Sequence, residues 1–150
     1  MKTIIVTMSF IMLGLTTAYA DGTPKVNNRI QQALKREFAG YESVTWIKVK
    51  DFQQATFVFH ETLVVAYFNE DGDLLGSARD ITANQLPLPV LQSFDKHLAG
   101  FEIAEIVEIT NAEGTSYWLT LDKDNKSYHV RVNTSGEISR FIAIKQKSQS

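Results

Sequence analysis

The sequence predicts an α+β fold made of two tandem repeats, each with one helix followed by a four-stranded antiparallel sheet. The stretch FAGYESVTWIKV at Phe38 is echoed sixty residues later by LAGFEIAEIVEI at Leu98. In both copies apolar residues first recur at helical spacing and then alternate with polar residues, as in strands. Turn-forming Gly, Asn and Asp residues separate the alternating segments. We therefore expect a single domain over 21–150, with repeats at about 26–81 and 86–144.

The repeat is clearest in the predicted helices and in the strand after each of them. With an offset of 60 residues, Ile30, Leu34 and Phe38 fall on Val90, Phe94 and Leu98. Phe57 and Phe59 fall on Tyr117 and Leu119 in this alignment, which places a four-residue insertion after that point. Because the shared spacing extends over about 45 residues, the sequence predicts an internal duplication.

The predicted strands follow the helix of each copy. In the first copy they are Val44–Val49, Gln54–His60, Thr62–Phe68 and Leu74–Ile81, and in the second copy they are Ile103–Thr110, Thr115–Leu121, Ser127–Val132 and Glu137–Ile144. The segment Thr82–Leu88 links the copies. Since one helix covers only one face of its sheet, we expect both helices on one face and the other face open.

Strand alternation predicts which side chains line the open face. In the second copy Tyr117 and Leu119 alternate with Trp118, and the more apolar set should meet the helix. The same reasoning places His60 on the open side. Trp46 is expected in the core, because its equivalent in the second copy is Ile106. Seven residues are expected to bind a partner, six on the open face and Glu61 in the turn after the second strand. They are Val58, Val65, Tyr67, Trp118, His129, Arg131 and Glu61. A surface that mixes aromatic, aliphatic and Arg side chains is typical of protein interfaces.

The N-terminus predicts export. Lys2 precedes an apolar run from Ile4 to Leu15, which is too short to span a bilayer, and Ala18-Tyr19-Ala20 forms an A-x-A cleavage site. We therefore expect a signal peptide over residues 1–20 that is cleaved after Ala20, no membrane span, and a periplasmic or secreted protein.

Composition excludes several classes of function. The chain has no Cys, which removes thiol catalysis and thiolate metal sites. Its net charge is −2 and no run of Lys or Arg occurs, so nucleic-acid binding is not expected. The three histidines, His60, His97 and His129, lack metal-ligand spacing. No nucleophile elbow or phosphate-binding loop is present. We expect no catalytic residue, metal or cofactor, and no enzymatic activity.

The succession of motifs resembles a known family. Val44-Thr45-Trp46, Phe57-Val58-Phe59, Asp71-Gly72-Asp73-Leu74 and Leu86-Pro87 occur in an order that resembles the PepSY-like, beta-lactamase-inhibitor-like family of exported bacterial proteins. The resemblance covers Val26 to Ile144. It implies tandem α/β repeats whose open sheet face is turned to partners. In the inhibitor that gives the family its name, hairpin loops enter the enzyme cleft, and the corresponding loops here lie near Glu61 and Lys123–Lys126.

We therefore expect an exported, non-enzymatic binding module that uses its open sheet face on a protein or peptide. Two alternatives stay open. One is an inhibitor of an exported hydrolase, either a protease or a beta-lactamase. The other is a self-associating structural protein of the cell envelope, so that either a monomer or a homodimer is compatible with the sequence.

Overall fold

The computed structural model describes residues 25–144, and the predicted signal peptide lies outside them. Within these residues the chain forms two α-helices, one short 3-10 helix and eight strands. Their bounds are α1 Asn28–Glu37, β1 Glu42–Val49, β2 Phe52–Phe59, β3 Thr62–Asn69, β4 Leu74–Asp80, the 3-10 helix Ala83–Gln85, α2 Leu88–His97, β5 Glu102–Asn111, β6 Gly114–Lys123, β7 Lys126–Asn133 and β8 Ile138–Ile144. The described helices are too short, or not apolar enough, to cross a bilayer.

All eight strands belong to one antiparallel sheet, in which each strand pairs with the next along the chain. The strands of the first and second halves join where β4 pairs with β5, for example Ala78 with Ile109. The predicted α+β class and the antiparallel strands are confirmed. The two sets of four strands form one continuous sheet.

Each helix covers its own half of the sheet. Ile30, Ala33 and Leu34 of α1 are buried against Phe57 and Phe68. The core beneath α2 consists of Ile81, Leu86, Val90, Leu98, Ile106, Tyr117, Leu119, Leu121, Val130 and Val132. Val64 of the first core and Tyr117 of the second lie in one cross-strand row through Arg79 and Glu108. Because residues paired across strands share a face, both helices lie on the same side of the sheet, as predicted.

The pairing corrects the position of the insertion. Ala55 pairs with Trp46 in the first half, and Leu119 pairs with Ile106 in the second. Ala55, and not Phe59, is therefore the counterpart of Leu119. The four additional residues lie in the β5–β6 hairpin, whose strands are each ten residues long where β1 and β2 have eight. The misplaced alignment still assigned the correct faces, because a shift of four residues preserves the two-residue period of a strand.

The β3–β4 and β7–β8 turns are built in the same way. The side-chain oxygen of Asn69 accepts hydrogen bonds from the backbone N–H groups of Asp71 (3.1 Å) and Asp73 (2.8 Å). Asn133 does the same for Ser135 and Glu137, each at 3.0 Å. Gly136 has a φ of +85°, and a Cβ there would lie 2.3 Å from the carbonyl oxygen of Pro89. Glycine thus lets this turn pack against the first turn of α2.

Candidate partner-binding face

We use the term open face for the side of the sheet opposite α1 and α2. The cross-strand row Val107, Trp118, Arg131 and Arg140 runs along it from β5 to β8. A second row passes through Thr56, Val65, Ala78, Ile109 and Ser116. Among residues 25–144, no helix covers these rows.

Six of the seven residues predicted to bind a partner lie on the open face. These are Val58, Val65, Tyr67, Trp118, His129 and Arg131. Glu61 is exposed in the two-residue turn between β2 and β3. The prediction for His60 was wrong, because β2 ends at Phe59 and His60 forms the other half of that turn. Its imidazole lies edge-on to the Phe59 ring at 4.3 Å.

The centre of the open face is apolar. Ala78, Val107 and Ile109 form a buried cluster on this side, with exposed fractions of 2%, 7% and 9%, and Trp118 packs against it. Sequence alternation missed Val107 and Ile109 because β5 carries a bulge between Ile103 and Glu105. A bulge adds one residue to one strand and reverses the face of those that follow. The sequence signal was the change of alternation at Ile106-Val107, two adjacent apolar residues that are both buried.

Trp118 and Arg131 are held together at the edge of this apolar cluster. They are cross-strand partners, and the guanidinium lies 5.9 Å from the centre of the indole ring. The Nε–H of Arg131 donates to the buried hydroxyl of Ser116 at 3.3 Å. One Nη atom lies 3.9 Å from the carboxylate of Glu113, which is 81% exposed. At that distance in solvent, the carboxylate compensates the Arg131 charge weakly.

Tyr67 provides the second aromatic group of the open face. Its ring meets that of Phe52 edge-on at 5.4 Å, and its backbone lies across from Gly76, which has no side chain. Burial raises the pKa of the Tyr67 hydroxyl above its usual value. The phenol therefore stays protonated at neutral pH and is available as a hydrogen-bond donor to a partner.

The helix side of the sheet has a groove between the two halves, which polar and apolar side chains line together. Its volume is about 420 Å³, and it is lined by residues that include His60, Ser77 and Arg79. Arg79 pairs with Glu108 at 2.7 Å. Burial first, and Glu108 second through its charge and a hydrogen bond, raise the pKa of Tyr117. Arg79, Glu108 and Tyr117 thus interact with one another on the helix side of the sheet.

Metal binding finds no support among residues 25–144, where no group of three or more His, Asp or Glu side chains is close enough to hold an ion. His129 lies on the open face, and its cross-strand neighbours are Thr120 and Ile142. His60 lies in the β2–β3 turn and lines the groove on the helix side. The structure therefore does not bring these two histidines together.

The open face is large enough for a protein interface. Eight strands at a spacing of about 4.8 Å give a width of roughly 34 Å, and strands of this length extend for roughly 25 Å. The resulting area of about 850 Å² matches the approximately 800 Å² that each partner contributes to a standard interface.

Comparison with known proteins supports the fold. No protein-family profile matches the sequence, and no curated protein matches it. Among solved structures, a BLIP-like protein from Bacteroides fragilis matches with a TM-score of 0.73 and 16% identity, over 83% of this chain and 90% of that one. A candidate periplasmic protein from Bacteroides eggerthii matches with a TM-score of 0.72 and 19% identity, over 79% and 89%. A DUF2874 family protein from Bacteroides uniformis gives 0.72 and 17%, over 78% and 88%.

These matches define the class of fold. The likeness to a BLIP-like protein confirms the predicted beta-lactamase-inhibitor-like architecture over most of the chain. The PepSY-like part of the resemblance stays a prediction, since none of these three proteins carries that name.

Proposed function

We propose that this protein is an exported, non-enzymatic binding module whose open face binds a protein or peptide partner. The observation that carries the proposal is the partly exposed Trp118, which packs against the buried apolar cluster of Ala78, Val107 and Ile109 on the side of the sheet that no described helix covers. Polar and charged residues surround it, among them Thr120, Glu105 and Arg131. An apolar centre with an aromatic anchor and a polar rim is the usual anatomy of a protein interface.

Export of the protein is part of the proposal. The sequence predicts a signal peptide with cleavage after Ala20, and one structural neighbour is a candidate periplasmic protein. Both observations favour a periplasmic location. The sequence contains no Cys, so the fold does not depend on disulfide formation in that compartment.

An internal duplication accounts best for the two halves. The offset between α1 and α2 is 60 residues, and it is 64 from Asn69 to Asn133 and from Gly72 to Gly136. The capping asparagine, the close glycine and a following acidic residue occur at the same places in both turns. Shared details of this kind, which the overall fold does not require, favour two copies of one ancestral unit.

Self-association is the second candidate, and strand β8 favours it. Phe141 and Ile142 on this edge strand are 47% and 42% exposed. An apolar edge strand can pair with the same strand of a second copy. Ile142 lies on the open face beside His129, whereas Phe141 lies on the helix side beside Val130, so a substitution of Phe141 separates the two candidates.

Replacement of Trp118 by Ala tests the proposal in the native host. We expect Trp118→Ala to reduce the recovery of a crosslinked envelope partner by about tenfold or more, because truncation of an aromatic hot spot typically costs 2 kcal/mol or more of binding free energy. The measurement is in-cell crosslinking followed by quantitative mass spectrometry. The melting temperature should fall by only a few degrees, since Trp118 is only partly buried.

Trp46→Ala is the matched control. Trp46 packs on the helix side, 6.1 Å from the Phe68 ring, so its loss should lower stability and leave the recovery of the partner from folded protein unchanged. A hydrolase among the captured partners would favour the alternative function, an inhibitor of that hydrolase. If Trp118→Ala unfolds the protein, or if the full set of partners is retained, the open face is not the binding surface.

A further inference from the structure

Two arginines face each other across the last two strands of the open face. Arg131 on β7 and Arg140 on β8 are direct cross-strand partners. Side chains in this relation have Cβ atoms about 5 Å apart, and like charges there are destabilising. A natural sheet usually avoids this arrangement, and such local violations concentrate at functional sites.

The two charges are poorly compensated within the described part of the chain. Arg131 has one carboxylate near it, that of Glu113 at 3.9 Å, and Glu113 is highly exposed. Arg140 is exposed and forms no ion pair with any of residues 25–144. Most of the positive charge of the pair is therefore uncompensated within residues 25–144.

Arg131 is held in place while Arg140 is free to reorient. The Ser116 hydroxyl and the Trp118 ring fix the Arg131 guanidinium against the sheet. Arg140 lies on the edge strand beside it, with no such contact among the described residues. A single guanidinium can donate two parallel hydrogen bonds to the two oxygens of a carboxylate, and the second guanidinium beside it adds further donors and positive charge.

We infer that Arg131 and Arg140 form a binding site for a carboxylate of the protein partner. This inference rests on the proposed use of the open face. The next group along the row is Trp118, which lies two strand spacings, or about 10 Å, from Arg140. The partner segment should therefore present an Asp or Glu side chain about 10 Å from an apolar side chain that packs on Trp118.

The charge of the rest of the row supports an oriented partner. Beyond Trp118, the row reaches Val107 and then Asp80 on β4. The row thus runs from one negative charge through an apolar centre to two positive charges. A partner with its carboxylate over β8 is attracted in one orientation and repelled in the reverse one, which is how charge fixes register at interfaces.

Binding of synthetic peptides tests the site directly. The probe is a hexapeptide with Val at position 2, Glu at positions 4 and 6 and Ser elsewhere, blocked at both ends, so that these three side chains share one face of the extended peptide. The control probe has Gln in place of Glu. Two-dimensional NMR should show that the Glu peptide shifts the Trp118 indole and the Arg131 and Arg140 side-chain signals. Arg140→Gln should weaken this binding about tenfold, whereas Arg140→Lys should weaken it less because the charge is kept. Arg36→Gln, a change to an exposed arginine of α1, should have no effect.

A stability measurement separates binding from structure. Because Arg140→Gln removes a like-charge pair, we expect its melting temperature to rise by about 1–5 °C while binding falls. Equal binding of the Glu and Gln peptides would overturn the carboxylate site. So would equal binding of sulfate or phosphate by the pair, which would indicate a site for small anions.

Crosslinking in the host distinguishes failure of this inference from failure of the proposed function. If Trp118→Ala loses the partner and Arg140→Gln retains it fully, the open face binds without the arginine pair. If neither change affects the partner, both proposals fail. Loss of the partner with each of the two changes supports both proposals.

Discussion

Gly76 determines how closely β4 approaches β5, where the two halves of the sheet join. We call this β4–β5 pairing the seam. A Cβ at this position would lie 2.9 Å from the carbonyl oxygen of Thr110 and 3.3 Å from the Cβ of Asn111. The first contact is with backbone, which cannot yield unless β4 moves away from β5. Glycine therefore permits the close pairing that makes one sheet out of eight strands, and Tyr67 lies across from it on the next strand.

We expect Gly76→Ala to destabilise the protein by about 1–3 kcal/mol, the usual cost of overpacking. Chemical denaturation measures this as a lower midpoint. Ser77→Ala, at the adjacent position, is the control and should change the free energy of unfolding by less than about 0.5 kcal/mol. A Gly76→Ala protein as stable as the wild type would show that the seam has room to spare.

The β2–β3 and β6–β7 hairpin turns have the same backbone conformation, but their residues are not equally suited to it. The β2–β3 turn, His60–Glu61, has φ values of +47° and +62°, and the β6–β7 turn, Asp124–Asn125, has +50° and +58°. These values fit a type I′ turn, in which both residues are left-handed. Asp, Asn and His adopt that conformation comparatively readily, whereas Glu does so less readily. The first turn is therefore the more strained of the two.

Glu61→Gly should relieve this strain and raise the free energy of unfolding by about 0.5–1 kcal/mol. Asn125→Gly is the matched change in the other turn, and its gain should be smaller because Asn already accepts a positive φ. Thermal unfolding of both variants compares them. A loss of stability in Glu61→Gly would mean that the Glu61 side chain makes a contribution larger than the strain.

Strand alternation predicted most of this sheet, since the face of each strand follows from a two-residue period that the core enforces. It located Val58, Val65 and Tyr67 correctly on the open face. It could not locate the β5 bulge, because a bulge depends on cross-strand pairing and has no fixed residue type. The Arg131–Arg140 pair was also missed, because pairing register in β7–β8 depends on an irregularity between Arg131 and Val132.

At the scale of the whole molecule, two cores share one sheet. The core under α1 and the core under α2 are separate clusters on the helix side. The two halves contact each other through the β4–β5 hydrogen-bonded pairing and through the apolar cluster of Ala78, Val107 and Ile109 on the open face. The proposed binding surface thus lies directly over the seam, so a bound partner would stabilise the pairing of the two halves.

This arrangement predicts that each half can open on its own. Phe57 is fully buried in the first core, and Phe57→Ala should cost about 3–5 kcal/mol of local stability. Native-state hydrogen exchange should then show protection in β2 and β3 falling by about a hundredfold or more, with a smaller loss in β6 and β7. Leu119→Ala, in the second core, should give the mirror pattern. If either change lowers protection equally throughout the sheet, the seam joins the two cores into one cooperative unit, because neither half could then open without the other.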